Sequence, residues 1–196
     1  RKASQLNDQA IDQVIQLCAK GTLTEKEVGQ QLDGIFQSLG CSGNSFDPIV
    51  GYGPNGADGH HGCDDSKLKP GDSIVIDMGG IYQGYCSDMT RTVFYKKVSD
   101  KQREVYELVK KANEAAEAMI KPGVRLCDID KTARDIISEA GYGPNFNHRL
   151  GHFFGRDVHE YGDVSAAFDM EVEPGMIFSI EPGIYIQGEF GVRIEA

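Results

Sequence analysis

The feature that most constrains this chain is a pair of acidic residues carried by two short apolar segments that a turn would join. Near the C-terminus, Glu181 and Glu195 are equidistant from Gly188. A turn at residues 187–189 would therefore place the two carboxylates opposite each other on one face of a hairpin. Strand positions of this kind usually hold Val or Ile. Acids placed there need either a surface location or a cation.

The same arrangement occurs earlier in the chain. Asp77 and Asp88 lie symmetrically about the midpoint between Tyr82 and Gln83, so a two-residue turn there would place them opposite each other. Asp77 precedes Glu181 by 104 residues, and each of the two follows a Pro-Gly pair at the same interval. A surface location predicts no such repeat. Two copies indicate a domain built from two pseudo-symmetric halves.

The order of the other elements supports two halves. Apolar spacing predicts two helices within residues 4–39, the second starting with a capping box at Thr24 and Glu27. The remaining predictions are a loop over 40–72 with a short strand near Ile49, a strand over 73–78, a second arm over 84–95, helices over 100–120 and 126–140, and a Gly- and His-containing segment over 141–162. Helices, loop and hairpin thus occur twice, which predicts an α+β fold with one core in a single domain over residues 1–196.

Charge and cysteine content argue against several classes of function. The net charge of −10 argues against nucleic acid and anionic membranes as partners. The five cysteines have no CxxC spacing, and an odd number fits neither a disulfide framework nor a thiolate zinc site. We therefore expect reduced thiols and a cytoplasmic location. No apolar segment approaches the length of a membrane span.

Pseudo-symmetry would bring the two hairpins face to face and gather Asp77, Asp88, Glu181 and Glu195 in one place. Four carboxylates cannot all stay ionised in a shared interior without compensation. Two divalent cations would neutralise them, and His152, in a Gly-flanked segment, is the natural neutral ligand. Oxygen ligands with one imidazole suit Mn²⁺, Fe²⁺, Co²⁺ or Zn²⁺. Two metals bridged by carboxylates activate a shared water for hydrolysis.

Several motifs, in order along nearly the whole chain, resemble those of the pita-bread metallopeptidases. They are Ile-Asp-Met-Gly-Gly at 76–80, Ser-Asp-Met-Thr-Arg-Thr at 87–92, Leu-Gly-His at 150–152, Val-His-Glu at 158–160, Ile-Glu-Pro-Gly at 180–183 and Val-Arg-Ile-Glu at 192–195. That family includes methionine aminopeptidase, aminopeptidase P and Xaa-Pro dipeptidase (prolidase). The resemblance implies the pita-bread fold, in which helices of two pseudo-symmetric halves pack on a curved antiparallel sheet.

The resemblance also implies a role for each candidate ligand. Asp77 would chelate one metal, while Asp88 and Glu195 would bridge both. His152 and Glu181 would hold the other metal. Glu181 would also serve as the general base for a metal-bridging hydroxide, the nucleophile that attacks the scissile carbonyl. The favoured metal is Mn²⁺, with Co²⁺ or Zn²⁺ as alternatives.

Four further residues match the family's substrate-contacting positions. His159 would stabilise the tetrahedral intermediate, and His60 would contact the substrate backbone. Spacing to the following Gly-Asp pair selects His60 over the adjacent His61 by a single residue. His148 and Arg193 resemble the proline-directed branch and would line the substrate pocket. Arg193 has a structural alternative, in which it pairs with and orients a metal-binding carboxylate.

We therefore expect an Xaa-Pro dipeptidase that acts on a small peptide with proline in the second position. The alternatives are an aminopeptidase P acting on longer peptides and a non-catalytic pita-bread binding domain, although the retained ligand positions argue against the latter. We also expect the chain to be a fragment of a homodimeric protein, with weak or no turnover by itself. Phe153 stands where the family has a small residue. It could narrow the pocket, displace His152 or point outward.

Overall fold

The structure is a computed structural model that describes residues 1–196. Its four α-helices are α1 (Lys2–Ala19), α2 (Glu25–Ser38), α3 (Asp100–Met119) and α4 (Leu126–Glu139). Its strands are β1 (Ile49–Tyr52), β2 (Ser73–Met78), β3 (Ile81–Tyr82), β4 (Tyr85–Cys86), β5 (Met89–Phe94), β6 (Gly151–His152), β7 (Asp163–Val164), β8 (Gly183–Ile186) and β9 (Phe190–Arg193). Short 3₁₀ turns lie at Gly53–Ala57 and Gly143–Asn145. The predicted helices are confirmed, whereas the predicted arm over 84–95 is divided into β4 and β5.

Local side-chain chemistry determines where the helices begin. The predicted capping box is present: Thr24 Oγ1 accepts a hydrogen bond from Glu27 N, and Thr24 N donates to the Glu27 carboxylate. Ser99 and Gln102 form the same arrangement at the start of α3. Each box satisfies backbone N–H groups that lack a partner in the first helical turn. No helix is both long and apolar enough to cross a membrane.

The molecule has two hydrophobic cores rather than the single core that the sequence predicted. One cluster of 16 buried residues draws its members from residues 6–89, and a second cluster of 16 draws its members from residues 105–192. Each pair of helices packs on the strands of its own half, so each half buries its apolar surface separately. The prediction of one core was wrong because a repeated unit repeats its core as well.

Hydrogen bonding confirms the two-fold repeat. In the first half β1 pairs with β2, with Ile49 opposite Asp77. In the second half, residues 150–154 run antiparallel to residues 177–181, and Glu181 N donates to Leu150 O. Isolated bridges at equivalent points join the segment before α2 to Lys67 and the segment before α4 to Glu171. The two acid-bearing strands therefore occupy equivalent places.

The terminal hairpin has the predicted register. Gly183 pairs with Arg193, and the backbones of Ile180 and Ala196 exchange two hydrogen bonds farther along the same ladder. This register places Glu181 opposite Glu195. The turn is centred on Gly188, whose φ of 77° lies in the left-handed region that glycine adopts at little cost.

The first hairpin differs from its predicted register. Its turn lies one position later, at Gln83 and Gly84, whose φ angles are 51° and 79°. Asp77 therefore pairs with Thr90 rather than with Asp88. Asp88 lies two residues before Thr90, so both acids still share one face. The prediction was wrong because a two-residue hairpin turn needs left-handed residues, and glycine fits there one position later.

The two halves meet where β9 runs beside β5. Thr92 Oγ1 donates to Arg193 O and accepts from Arg193 N, and Glu195 N donates to Thr90 O. On its other side β9 contacts the backbone of the 3₁₀ turn at Gly53–Ala57. A Cβ on Gly191 would lie only 1.8 Å from the carbonyl oxygen of Gly56. This close contact brings the acids of both halves to one cavity.

Candidate metal centre and active-site cavity

A cavity of about 460 Å³ lies between the halves. All nine candidate site residues line it: His60, Asp77, Asp88, His148, His152, His159, Glu181, Arg193 and Glu195. The remaining lining residues are Phe46, Ile49, Gly59, Arg149 and Val158. Residues that are far apart in the sequence thus converge on one site. Their individual roles stay predictions.

The four carboxylates of the cavity lie in a poorly solvated environment. Burial and the charges of Asp77 and Glu181 raise the pKa of Asp88 to about 9. Burial and the charge of Glu195 raise the pKa of Glu181 to about 8. Burial, with Asp88 and Asp77 nearby, raises the pKa of Glu195 well above its usual range. The cluster therefore needs positive charge to hold all its acids ionised at neutral pH.

His152 is held in an orientation suited to metal binding. Its Nδ1 lies 3.2 Å from the carbonyl oxygen of Phe153, which assigns the N–H to this nitrogen. The free Nε2 faces Asp88 Oδ2 at 3.4 Å and Glu181 Oε1 at 3.5 Å. One ligand atom each from Asp88, His152 and Glu195 lie within 4.8 Å of one another. A hydrogen-bonded Nδ1 and a free Nε2 are typical of a ligating histidine.

Two carboxylates each keep one oxygen free for a ligand. Asp77 Oδ2 accepts from Arg193, and Glu195 Oε2 accepts from Thr90 Oγ1 at 2.7 Å. The other oxygens, Asp77 Oδ1 and Glu195 Oε1, are buried without any hydrogen-bond partner. A buried carboxylate oxygen without a partner is costly, and a cation removes the cost. The residues present therefore fit divalent cations.

Arg193 is 4% exposed and makes its contacts within the protein. Its Nη2 donates to Asp77 Oδ2, and its Nε donates to Thr90 Oγ1 at 2.9 Å. Its Nη1 donates to Gly59 O at 3.2 Å and to Tyr185 Oη at 3.1 Å. These contacts favour the structural alternative, in which Arg193 orients Asp77. Contact with substrate stays a prediction.

His148 lines the cavity with both ring nitrogens occupied. Nδ1 lies 2.6 Å from Arg149 O, and Nε2 lies 2.9 Å from Tyr185 Oη. Burial lowers the pKa of His148 to about 4, so the ring is neutral. A neutral ring that donates from Nδ1 accepts from the tyrosine at Nε2. His148 therefore offers its ring, and no free N–H, to the cavity.

The structure distinguishes the two adjacent histidines of the first half. His60 lines the cavity, whereas His61 turns away and its Nε2 lies 2.6 Å from Glu25 Oε2. From the second half, the ring of His159 lies 4.3 Å from that of His152. Burial and the charge of His152 lower the pKa of His159, which favours the neutral imidazole. The choice of His60 over His61 as the cavity residue agrees with the structure.

Phe153 points away from the cavity. Its ring lies 5.4 Å from that of Phe178, and it packs against the core of the second half. Gly162 leaves room for it, since a Cβ there would lie 2.6 Å from the ring. Of the three alternatives for Phe153, the structure supports the outward orientation.

Sequence reasoning missed several residues that hold the site together. Thr90 joins Glu195 to the arginine, and Ser179 Oγ donates to Glu181 Oε1 at 3.2 Å. Asn113 Nδ2 of α3 donates to the carbonyl oxygens of Ile180 and Ile194, the residues directly before Glu181 and Glu195. Strand alternation places Thr90 and Ser179 on the faces of the acids and could have identified them. No local pattern predicts the reach of Asn113.

Comparison with known proteins identifies relatives along the whole chain. The sequence model of metallopeptidase family M24 matches residues 1–196. An uncharacterized peptidase of Staphylococcus saprophyticus is 43% identical over 195 residues, covering 100% of this chain and 55% of that protein. The chain thus spans about half the length of the curated relatives it matches.

Solved structures agree with this match. The prolidase from Pyrococcus furiosus aligns with a TM-score of 0.96 and 38% identity, over 99% of this chain and 57% of its own. The X-Pro aminopeptidase from Thermotoga maritima aligns with a TM-score of 0.95 and 38% identity, over 98% of this chain and 55% of its own. The predicted pita-bread fold and the resemblance to the proline-directed branch are confirmed. The chain therefore belongs to metallopeptidase family M24.

Proposed function

We propose that residues 1–196 form the catalytic domain of a dinuclear-metal-dependent Xaa-Pro dipeptidase. The observation that carries this proposal is the convergence of four carboxylates and one imidazole on a single cavity in which two buried carboxylate oxygens lack partners. A solvated acidic surface would leave no such oxygens buried. Similarity to a prolidase along the whole chain supports the same reading.

The metal ligands would be Asp77, Asp88, His152, Glu181 and Glu195. Four carboxylates and one imidazole suit Mn²⁺ best among the candidates, with Co²⁺ or Zn²⁺ as alternatives. When bound, divalent cations would supply Lewis-acid polarisation and lower the pKa of a water molecule. They also stabilise the ionised form of the clustered acids.

The remaining steps belong to the side chains around the metals. Glu181, which accepts a hydrogen bond from Ser179, takes a proton from the attacking water and returns it to the leaving nitrogen. His159, which is neutral, donates a hydrogen bond to the developing oxyanion. His60 holds the substrate backbone beside it. His148 lines the substrate pocket with its ring.

A proline substrate fits the chemistry of the cavity. An Xaa-Pro bond is a tertiary amide without an N–H, so its recognition needs an apolar surface beside the polar site. Phe46, Ile49 and Val158 supply apolar lining. A volume of about 460 Å³ also suits a small peptide.

Metal analysis tests the centre. After reconstitution with Mn²⁺ and removal of free metal, the wild type should retain about two equivalents, and Asp88→Ala should retain less than one. Less than one equivalent in the wild type would contradict a dinuclear site.

A second candidate, aminopeptidase P activity, has support in the similarity to an X-Pro aminopeptidase. Release of free proline from Xaa-Pro dipeptides, compared with cleavage of the first residue from longer Xaa-Pro peptides, separates the two. Preference for the dipeptide supports a prolidase. Cleavage of neither by the Mn²⁺-loaded full-length protein would favour the non-catalytic alternative.

The cysteines bear on where the protein is located in the cell. All five cysteines are free thiols, so we place the protein in the reducing cytoplasm. We also propose that the full-length protein is a homodimer, which measurement of its mass in solution would test.

A further inference from the structure

A second cluster of ligand-type side chains lies outside the cavity, at the start of α2. It consists of Glu25, His61 and Asp64. Glu25 is 0% exposed, although it is the first residue of its helix. The other two belong to residues 52–64, here called the cavity loop, which also carries His60. A buried carboxylate of this kind must be paired with hydrogen-bond donors.

Every donor to this carboxylate comes from the cavity loop. Glu25 Oε1 accepts from Tyr52 N at 2.7 Å and from Asn55 Nδ2 at 2.9 Å. Glu25 Oε2 accepts from His61 Nε2 at 2.6 Å and from Asp64 N at 3.2 Å. One side chain therefore holds the loop at four points. Its oxygens are fully satisfied by the protein.

The geometry of this cluster is that of hydrogen bonding rather than of metal binding. Two atoms bound to one cation at about 2.1 Å each lie roughly 3 Å or more apart. In the candidate metal centre, His152 Nε2 lies 3.4 Å from Asp88 and 3.5 Å from Glu181. His61 Nε2 lies only 2.6 Å from Glu25. The short distance indicates a direct bond between the two residues.

The cavity loop is also held on its other side, by the second half of the molecule. Gly59 O accepts from Arg193 Nη1 at 3.2 Å, and Ala57 O accepts from Gln187 Nε2 at 3.0 Å. His60 lies between these contacts and the bond made by His61. The backbone that carries the His60 ring is therefore fixed on both sides.

We propose that His61 is a positioning residue: its bond to Glu25 fixes the cavity loop and thereby directs His60 into the cavity. This inference rests on the substrate-binding role proposed for His60. Glu25, here called the anchor, is not part of the repeated scaffold. The equivalent residue of the second half is Leu126, which is buried and apolar. A charged residue at this buried point has its partners only in the cavity loop.

The test compares His61→Ala with His61→Gln in the Mn²⁺-loaded full-length protein. We expect His61→Ala to lower kcat/KM for an Xaa-Pro dipeptide by about 10- to 100-fold, since a small displacement of a substrate-binding group is costly. His61→Gln should restore most of the loss, because its amide can still donate to Glu25. The exposed neighbour in α2 provides the control, and Lys26→Ala should leave kcat/KM unchanged.

Amide hydrogen exchange provides a readout that needs no substrate. In His61→Ala, exchange at Tyr52 N and Asp64 N should be faster than in the wild type, and His61→Gln should return it toward the wild-type rate. His61→Asn, whose shorter side chain cannot reach Glu25, replaces the alanine variant if that variant does not fold. Unchanged exchange would overturn the proposal. If the wild-type protein shows no turnover, only the proposed function is contradicted. Hydrogen exchange would still test whether the bond between His61 and Glu25 holds the cavity loop.

A double-mutant cycle separates positioning from general stabilisation. In a His60→Ala background, His61→Ala should change kcat/KM by less than about twofold, because the group that it positions is gone. Additive losses would overturn the proposal. A metal analysis could also overturn it. If Asp88→Ala retains a cation that is lost when His61→Ala is added, the cluster of Glu25, His61 and Asp64 is a metal site.

Discussion

The two halves of this molecule share one scaffold but give the cavity different chemistry. Where the second half has His152, the equivalent residue of the first half is Gly51, and a Cβ there would lie only 2.9 Å from backbone atoms. Where the first half has the buried anchor Glu25, the second half has Leu126. The repeated backbone thus supplies the acids, and single substitutions on it supply the imidazole ligand and the anchor.

A further difference lies in how the halves are joined. Arg193 of the second half forms a salt bridge with Asp77 of the first, whereas no arginine or lysine of the first half forms one with a carboxylate of the second. The cavity is therefore complete only when both halves are docked. The repeated fold brings the acids of both halves together. Side chains present in only one half, such as His152 and Arg193, make the two sides of the cavity chemically different.

The largest effect is expected when one acid is removed from either half. If Asp88 and Glu195 are equivalent bridging ligands, Asp88→Ala and Glu195→Ala should each lose most bound metal. Each should lower kcat/KM on the order of 10³-fold or more, since metals supply several kcal/mol of transition-state stabilisation. Elemental analysis and kinetics measure both, with the exposed Asp12→Ala as control. Retention of both ions by either variant would break the equivalence.

The metal-free protein should lose stability as the pH rises. Folded-state pKa values of about 9 for Asp88 and about 8 for Glu181 exceed the unfolded values. Their contribution is therefore fully present below about pH 4 and is lost as the pH approaches 8 to 9. The slope would reach at most about 1.4 kcal/mol per pH unit for each retained proton.

Urea unfolding between pH 5 and 9, with and without Mn²⁺, measures this dependence. Bound metal should abolish the decline, because it favours the ionised acids. Combining Asp88→Asn with Glu181→Gln should flatten the metal-free curve. A metal-free stability that rises with pH would contradict the raised pKa values.

Next in size is the pairing between halves. Arg193→Met leaves Asp77 buried without its partner and should lower the free energy of unfolding by about 3–5 kcal/mol. Arg91, also on the boundary, donates only to the carbonyl oxygens of Thr90 and Glu195. Arg91→Met should therefore cost less, and chemical denaturation compares the two. Equal losses would show that the buried ion pair is not what distinguishes Arg193.

The smallest effect concerns two buried asparagines, one in the first helix of each half. Asn113 Nδ2 donates to the carbonyl oxygens of Ile180 and Ile194, whereas Asn7 Nδ2 has no partner. Asn113→Ala should cost about 1–3 kcal/mol of unfolding free energy. It should also weaken Mn²⁺ binding about tenfold, by loosening the glutamate strands. Asn7→Ala should cost less. Calorimetry of unfolding and of Mn²⁺ binding tests both, and the reverse order would contradict this account.

Much of the scaffold could be predicted because its determinants are local. The capping box at Thr24 and the turn at Gly188 depend on neighbouring residues, and the structure confirms both. The repeated acids predicted a shared cavity for a similar reason, since two copies of one unit dock in one way. The predicted register of the first hairpin was wrong because its turn lies at Gln83 and Gly84, one position later than predicted. A shift of the turn by one position changes every cross-strand pair.

What the sequence by itself determined is the repeated scaffold, the set of acids and histidines, and the resemblance to its family. Only the tertiary structure decided that Glu25 holds His61 away from the cavity, that Arg193 is engaged by Asp77, and that Phe153 packs outward. Helices, caps and turns follow from short-range hydrogen bonds and backbone preferences. The direction of a side chain beside the cavity depends instead on partners far away in the chain, which only the docking of the two halves brings near.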